Sequence, residues 1–102
     1  MAKKIVELST KRKVELKEMS LDEVDFCNDI PIVKYEDGEV SHIVGLSKSR
    51  TAWIRRGILG GDFKSFDIDK NGYPTDLVLK QLSELEKNEL VIAIQKYQEL
   101  GE

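Results

Sequence analysis

The side chains closest to a recognisable chemical motif are the oxygen ligands of the string DIDKNG, which opens the segment 67–78. Asp67, Asp69 and Asn71 match the first, third and fifth positions of a calcium loop, followed by the glycine of its sharp turn. Position twelve of such a loop supplies a bidentate glutamate, but here it is Val78. The string therefore favours an Asn-Gly turn. A weak calcium-binding module remains the alternative, with these three residues as its ligands.

A second candidate site is the basic stretch 48–56, which is predicted to form a short helix. Arg50, Trp53, Arg55 and Arg56 are predicted to form a docking patch, because tryptophan and arginine dominate the hot spots of protein interfaces. The same cations could instead meet a nucleic-acid backbone. They could also only complement the helix dipole, with Trp53 packed inward.

Two aromatic side chains outside this stretch, Phe26 and Tyr97, are predicted as secondary contacts with a partner. Exposed charges contribute little to stability. Replacing Arg55 and Arg56 together by glutamate is therefore predicted to abolish partner binding while changing the free energy of unfolding by no more than about 1 kcal/mol.

No combination of residues points to an enzyme, a Cys/His metal centre or a cofactor. Cys27 is the only cysteine and His42 the only histidine, which excludes an intramolecular disulfide and a Cys/His metal cluster. Asp25 and Asp29 lie on either side of Cys27, and acidic neighbours raise rather than lower a thiol pKa. No serine or cysteine has an identifiable base and orienting acid. We therefore expect a protein without catalytic activity and without a cofactor.

Composition and length indicate one folded domain spanning 1–102. The chain has 34% charged residues and a net charge of −3, so it is not a strong polyanion binder. Its charges alternate in blocks, basic in 1–20 and 47–64 and acidic in 21–40 and 82–102. This pattern suits docking in a defined register, including onto copies of the same chain, although chance clustering on a solvated surface would look the same. No signal peptide or membrane-spanning run is recognisable, which indicates a cytoplasmic protein with no membrane partner.

The apolar and polar patterns predict an α+β fold in which one or two β-hairpins pack with about three helices. Ser20 with Glu23 and Ser83 with Glu86 form capping boxes that predict two helix starts. In the first half of the chain the predicted elements are a hairpin from 5–8 and 14–16, a helix from 21 to about 30, and a hairpin from 32–35 and 40–44 around Asp37-Gly38. A helix over 47–57, capped by Ser47 or Ser49, is predicted next. It is followed by a helical segment from 75 through 82 and by a long helix over 84–100 that ends at Gly101. Gly60 and Gly61 are predicted to break the chain, and 61–75 to be a loop or a loop with a small ribbon.

Several positions are predicted to be buried from this pattern. In the first hairpin they are Ile5, Val6, Leu8, Val14 and Leu16. In the first helix they are Leu21, Val24 and Ile30. In the last helix they are Leu90, Ile94 and Tyr97, with Val91 and Ala93 at the margins of the apolar stripe.

Two segments resemble small bacteriophage tail-assembly chaperones and related tail proteins. The stretches 5–9 (IVELS) and 13–20 (KVELKEMS) resemble their amino-terminal ribbon leading into a capped helix. The stretch 78–90 (VLKQLSELEKNEL) resembles their closing segment, where a Leu-Ser/Thr-x-x-Glu sequence opens a final helix. The likeness covers about a third of the chain and leaves out 31–75. It implies a non-enzymatic morphogenesis protein of the host cell cytoplasm that binds other proteins, namely tail components, and forms an oligomer.

Overall fold

The computed structural model describes the backbone of residues 3–36 and 38–100, and the side chains of 4–31, 38–39 and 45–99. Its elements are β1 (Lys3–Glu7), β2 (Lys13–Lys17), α1 (Leu21–Asn28), β3 (Ile32–Glu36), β4 (Glu39–Val44), α2 (Leu46–Gly57), β5 (Ile58–Gly61), α3 (Asp76–Leu79) and α4 (Glu84–Leu100). Antiparallel strands with helices on one chain confirm the predicted α+β class and its long carboxy-terminal helix.

The first hairpin belongs to a three-stranded antiparallel sheet in the order β1-β2-β5. Val14 and Leu16 on the central strand are fully buried, as predicted. Ile5 is 57% exposed, so its predicted burial is wrong. Successive side chains of a strand point to opposite faces, so Ile5 cannot share the inner face with its neighbour Val6.

Strand β5 was not predicted, because its sequence ILGG has only two apolar residues before two glycines. Instead of breaking the chain, Gly60 and Gly61 pair with Glu15 and Val14 of β2. The strand thereby brings the end of α2 directly back to the sheet.

Helix α1 begins with the predicted capping box. The Glu23 amide donates to the Ser20 hydroxyl at 3.2 Å, and the Ser20 amide donates to the Glu23 carboxylate at 2.9 Å. The helix ends at Asn28, two residues short of the predicted limit. It buries Cys27 completely, whereas Leu21 is 75% exposed, contrary to prediction. Leu21 is the first residue of the helix.

The second predicted hairpin is confirmed as the pair β3–β4, with Ile32 opposite Val44 and Glu36 opposite Glu39. Asp37 of its turn lies outside the described residues. The side chains of both strands, apart from Glu39, also lie outside them, including that of His42.

Helix α2 starts without the predicted serine cap. Gly45 occupies the N-cap position with φ of +85°, and no side chain caps the helix. A Cβ at Gly45 would lie 2.9 Å from the Ile30 carbonyl oxygen, so this entry requires a glycine both sterically and conformationally. Ser49, one of the predicted caps, is buried within the helix.

The core forms where α2 crosses α4. Leu90 and Ile94 are fully buried, which confirms the predicted stripe of α4. Its capping box is also present, because the Glu86 amide donates to the Ser83 hydroxyl at 3.1 Å and the Ser83 amide to the Glu86 carboxylate at 2.8 Å. Helix α3 ends at Leu79 rather than continuing through 82. Gly101, the predicted end signal of α4, lies outside the described residues.

A polar cluster ties the turn after β1 to the start of α4. The Glu86 carboxylate accepts a hydrogen bond from the Thr10 hydroxyl at 2.6 Å and one from Arg12 Nε at 3.0 Å. Arg12 also donates to the backbone carbonyls of Asp62 and Gln81. Burial alone would raise the pKa of Glu86, but these hydrogen bonds and the Arg12 charge outweigh it and lower the pKa to about 2.

Within the part of the chain that the structure describes, no helix combines the length and apolar content needed to cross a bilayer.

Candidate functional site

A groove of about 670 Å³ runs between α1 and α2. We call it the α1–α2 groove. Its lining includes Phe26 and Ile30 on the α1 side and Lys48, Thr51, Arg55 and Arg56 on the α2 side. Phe26 is 51% exposed, because α1 turns the next residue, Cys27, into the core. None of the described residues that line the groove is acidic.

Arg56 lies close to two aromatic rings at one wall of this groove. Its guanidinium carbon is 4.1 Å from the ring centroid of Phe26 and 5.1 Å from that of Tyr73. The Lys17 ammonium lies 5.5 Å from the Tyr73 centroid, so cations and rings alternate along this cluster. Such contacts between cations and aromatic rings are favourable and restrict the orientation of the cation.

Glu23 holds Tyr73 in place beside Arg56. The Tyr73 hydroxyl donates to the Glu23 carboxylate at 2.7 Å, and the Lys17 ammonium lies 3.2 Å from the same oxygen. Burial alone would raise the pKa of Glu23, but the Ser20 amide, Tyr73 and Lys17 together lower it. The pKa of Tyr73 is raised, chiefly because its hydroxyl proton is held by Glu23. The ring that supports Arg56 is therefore fixed by an ionised carboxylate.

Arg56 itself has no carboxylate within 4 Å among the described residues. Its only hydrogen bond within that part of the chain runs from Nη1 to the Ala52 carbonyl and is long, at 3.4 Å. A guanidinium has five N–H donors. Most donors of Arg56 are thus left for solvent or for a ligand.

The other two arginines of the predicted patch are held within the protein. Arg55 donates to the Pro74 carbonyl at 2.7 Å and to the Asp76 carboxylate at 2.6 Å, and it lowers the pKa of Asp76. Arg50 lies 2.9 Å from the Glu84 carboxylate and lowers its pKa in the same way. Arg55 joins α2 to the segment before α3, so replacing it by glutamate would remove these internal contacts as well as any contact with a partner.

Trp53 and Tyr97 are each 5% exposed and belong to the core. The prediction that these two side chains contact a partner is therefore corrected, because a buried side chain offers almost no area to another molecule. Of the two predicted secondary contacts, only Phe26 lies at the surface.

Cys27 lies in the core of the protein. Cys27 is fully buried, and burial raises the pKa of its thiol while the nearby Arg56 charge offsets part of that rise. The imidazole of His42 lies outside the described residues.

The segment with the partial calcium motif forms a turn. One carboxylate oxygen of Asp69 accepts from the amide of Asn71 at 2.8 Å and from that of Tyr73 at 3.1 Å. Ile68 and Pro74 form an isolated antiparallel bridge on either side. Among the described residues, no group of three or more His, Cys, Asp or Glu side chains could hold a metal ion. Asp67 and Asp69 therefore do not belong to such a group.

A second groove, of about 650 Å³, lies on the other side of α1. Leu21 and Glu18 line it from the α1 side, and Gln95 and Glu99 from α4. Its described lining has two carboxylates and no cation, so its charge is opposite to that of the α1–α2 groove.

Sequence reasoning located part of the α1–α2 groove but missed Tyr73 and Ile30 as its neighbours. Tyr73 is distant in sequence from both Phe26 and Glu23, and no local pattern signals that these residues meet. Phe26 was predicted as a partner contact, although a phenylalanine on a short amphipathic helix fits a buried or an exposed position.

In comparisons with known proteins, no family model, no curated protein and no solved structure matches this chain.

Proposed function

We propose that this protein acts without catalysis, by binding another protein through the α1–α2 groove during the assembly of a larger structure. The observation that carries this proposal is the half-exposed Phe26 stacked on Arg56 at the groove. Aromatic and arginine side chains at a concave surface are the residue types that contribute most to protein interfaces. Singly exposed apolar residues occur elsewhere on the surface, but Phe26 combines exposure with a groove and with an arginine that has no ion-pair partner in the described part of the chain.

The proposed assembly is that of a bacteriophage tail. Support comes from the resemblance of 5–9, 13–20 and 78–90 to tail-assembly chaperones and related tail proteins. The hairpin leading into a capped helix and the capped closing helix, on which that resemblance rests, are both present in the fold.

The nucleic-acid alternative loses support from the ion pairs of α2. Two of the four cations in 48–56, Arg50 and Arg55, are already paired with carboxylates. Lys48 and Arg56 remain, which is few for a phosphate backbone in a chain of net charge −3.

A complementation experiment tests the proposed function. Deleting the gene from a phage that carries it should give filled heads without tails in negative-stain micrographs, and the wild-type gene supplied from a plasmid should restore tailed particles. Phe26→Ala should restore few or none, because it removes the exposed contact. Leu85→Ala is the matched control, since Leu85 is similarly exposed at 53% but lies on α4. Normal tails after deletion would rule out the proposed role.

A further inference from the structure

We infer that the α1–α2 groove takes an acidic segment of the partner protein, with a carboxylate of that segment bound by Arg56 and an adjoining apolar side chain in contact with Phe26. This inference rests on the proposed function and specifies the chemistry of the partner. It concerns one occupant, a protein segment with at least one aspartate or glutamate next to an apolar residue.

The first argument is the state of the Arg56 guanidinium. Its guanidinium carbon lies over the rings of Phe26 and Tyr73, at 4.1 and 5.1 Å from their centroids, and its one hydrogen bond among the described residues is long. Stacking restricts the rotation of the planar group before any ligand arrives. A planar fork with free N–H donors matches the two oxygens of a carboxylate, which it can bind through two parallel hydrogen bonds.

The second argument is the charge of the groove. Lys48 is exposed and, like Arg56, has no carboxylate within 4 Å among the described residues. Arg55, which also lines the groove, is paired with Asp76. The described lining offers no carboxylate of its own. An acidic segment would therefore complement this surface, whereas a basic one would be repelled.

The third argument is the apolar part of the same surface. Phe26 and Ile30 lie on the α1 side, and Ala52 lies on the α2 side. An apolar side chain beside the bound carboxylate would cover the free part of the Phe26 ring and exclude water from the ion pair. A phosphate backbone offers no such apolar group, so a protein segment fits the lining better than a nucleic acid does.

Peptide titration of the full-length chain tests this inference. The probes are acetyl-Leu-Glu-Leu-amide and acetyl-Leu-Gln-Leu-amide, added to nitrogen-15-labelled protein and followed by two-dimensional NMR. The glutamate peptide should shift the Arg56 Nε–H resonance and the amides of Thr51 and Phe26 most strongly. It should bind at least about fivefold more tightly than the glutamine peptide, because only the carboxylate forms charge-assisted hydrogen bonds.

Matched variants locate the effect. Arg56→Gln should remove the difference between the two peptides. Lys70→Gln should preserve it, because Lys70 is an exposed cation in the turn between Asp69 and Tyr73. The comparison of the two peptides on the wild-type chain needs no substitution, so it decides the question even if the Arg56 variant does not fold.

Three results would overturn the inference. They are equal affinity for the two peptides, shifts spread evenly over the surface lysines, and tighter binding of a twenty-nucleotide oligothymidylate at the same resonances. Equal peptide affinity together with failed complementation by Phe26→Ala would reject the acidic chemistry and leave the proposed function standing. Normal tails after gene deletion would reject the proposed function whatever the peptides show.

Discussion

The three arginines of α2 show how local contacts separate residues of the same type. Arg50 and Arg55 neutralise carboxylates of Glu84 and Asp76 and thereby join α2 to its neighbours. Arg56 stacks on aromatic rings and has no described ion-pair partner. Sequence alone places all three in one basic stretch, because their partners lie tens of residues away in the chain. Only contact with those partners distinguishes structural cations from the one available to a ligand.

The burial of Tyr97, which excludes it from the docking surface, can be tested by substitution. Its hydroxyl is buried and has no hydrogen-bond partner among the described residues. Tyr97→Phe should therefore keep or raise the free energy of unfolding, because it removes a desolvated polar group without creating a cavity. Urea denaturation of the two proteins measures the change. A loss of more than about 1 kcal/mol would mean that the hydroxyl has a hydrogen-bond partner in the folded protein.

Glu86 is expected to make the protein acid-sensitive. Its folded pKa of about 2 lies below the ordinary value of 4.5. Its contribution to stability is therefore complete above about pH 4.5 and is lost as the pH falls towards 2. Glu86→Gln should lower the free energy of unfolding at pH 7 by about 2 kcal/mol and make the loss between pH 4.5 and 2 shallower.

Urea denaturation at several pH values measures this effect. Glu99→Gln is the control, because Glu99 is an exposed residue of the same helix. It should change stability at pH 7 by less than about 0.5 kcal/mol. An unchanged acid response in Glu86→Gln would show that other carboxylates govern it.

At the scale of elements, the sequence predicted best where a local rule decides the structure. The capping boxes at Ser20 and Ser83 mark the true starts of α1 and α4, because both hydrogen bonds form within three residues. The start of α2 was mispredicted, because the need for glycine at position 45 comes from the close approach of the Ile30 carbonyl, which is distant in sequence, and not from neighbouring residues. Strand β5 was missed for a similar reason, since pairing with β2 and not its composition makes it a strand.

The crossing of α2 and α4 depends on the absence of a side chain at Gly57. A Cβ there would lie 2.5 Å from Ile94 Cγ2, and Ile94 is fully buried. Gly57→Ala should therefore destabilise the protein by about 1 to 3 kcal/mol, despite the higher helix propensity of alanine. Thermal or urea denaturation measures it. Gly60→Ala is the control, because its Cβ would meet the Glu15 side chain only at 3.6 Å. Equal stability of Gly57→Ala and the wild type would show that the helices do not pack as closely as described.

At the scale of the whole molecule, α1 separates two grooves of opposite charge. The α1–α2 groove has cations and no acid in its described lining, and the second groove has Glu18 and Glu99 and no cation. The alternating charge blocks of the sequence already indicated docking in a defined register. The location of the basic surface required the fold, because Phe26 and Arg56 come from different helices. The candidate site was thus predicted in part, through Phe26 and Arg56, and corrected at Trp53 and Tyr97.

Site-specific photo-crosslinking in infected cells tests most directly whether the α1–α2 groove binds a partner protein. A photoreactive phenylalanine analogue at position 51, in the groove, should crosslink to one phage tail protein through a segment that contains an acidic residue, and Arg56→Gln in the same chain should abolish the product. The same analogue at position 85, on α4 outside the groove, should give no such product. A crosslink of equal yield from position 85, or a position-51 product unaffected by Arg56→Gln, would contradict the assignment of this groove as the docking surface.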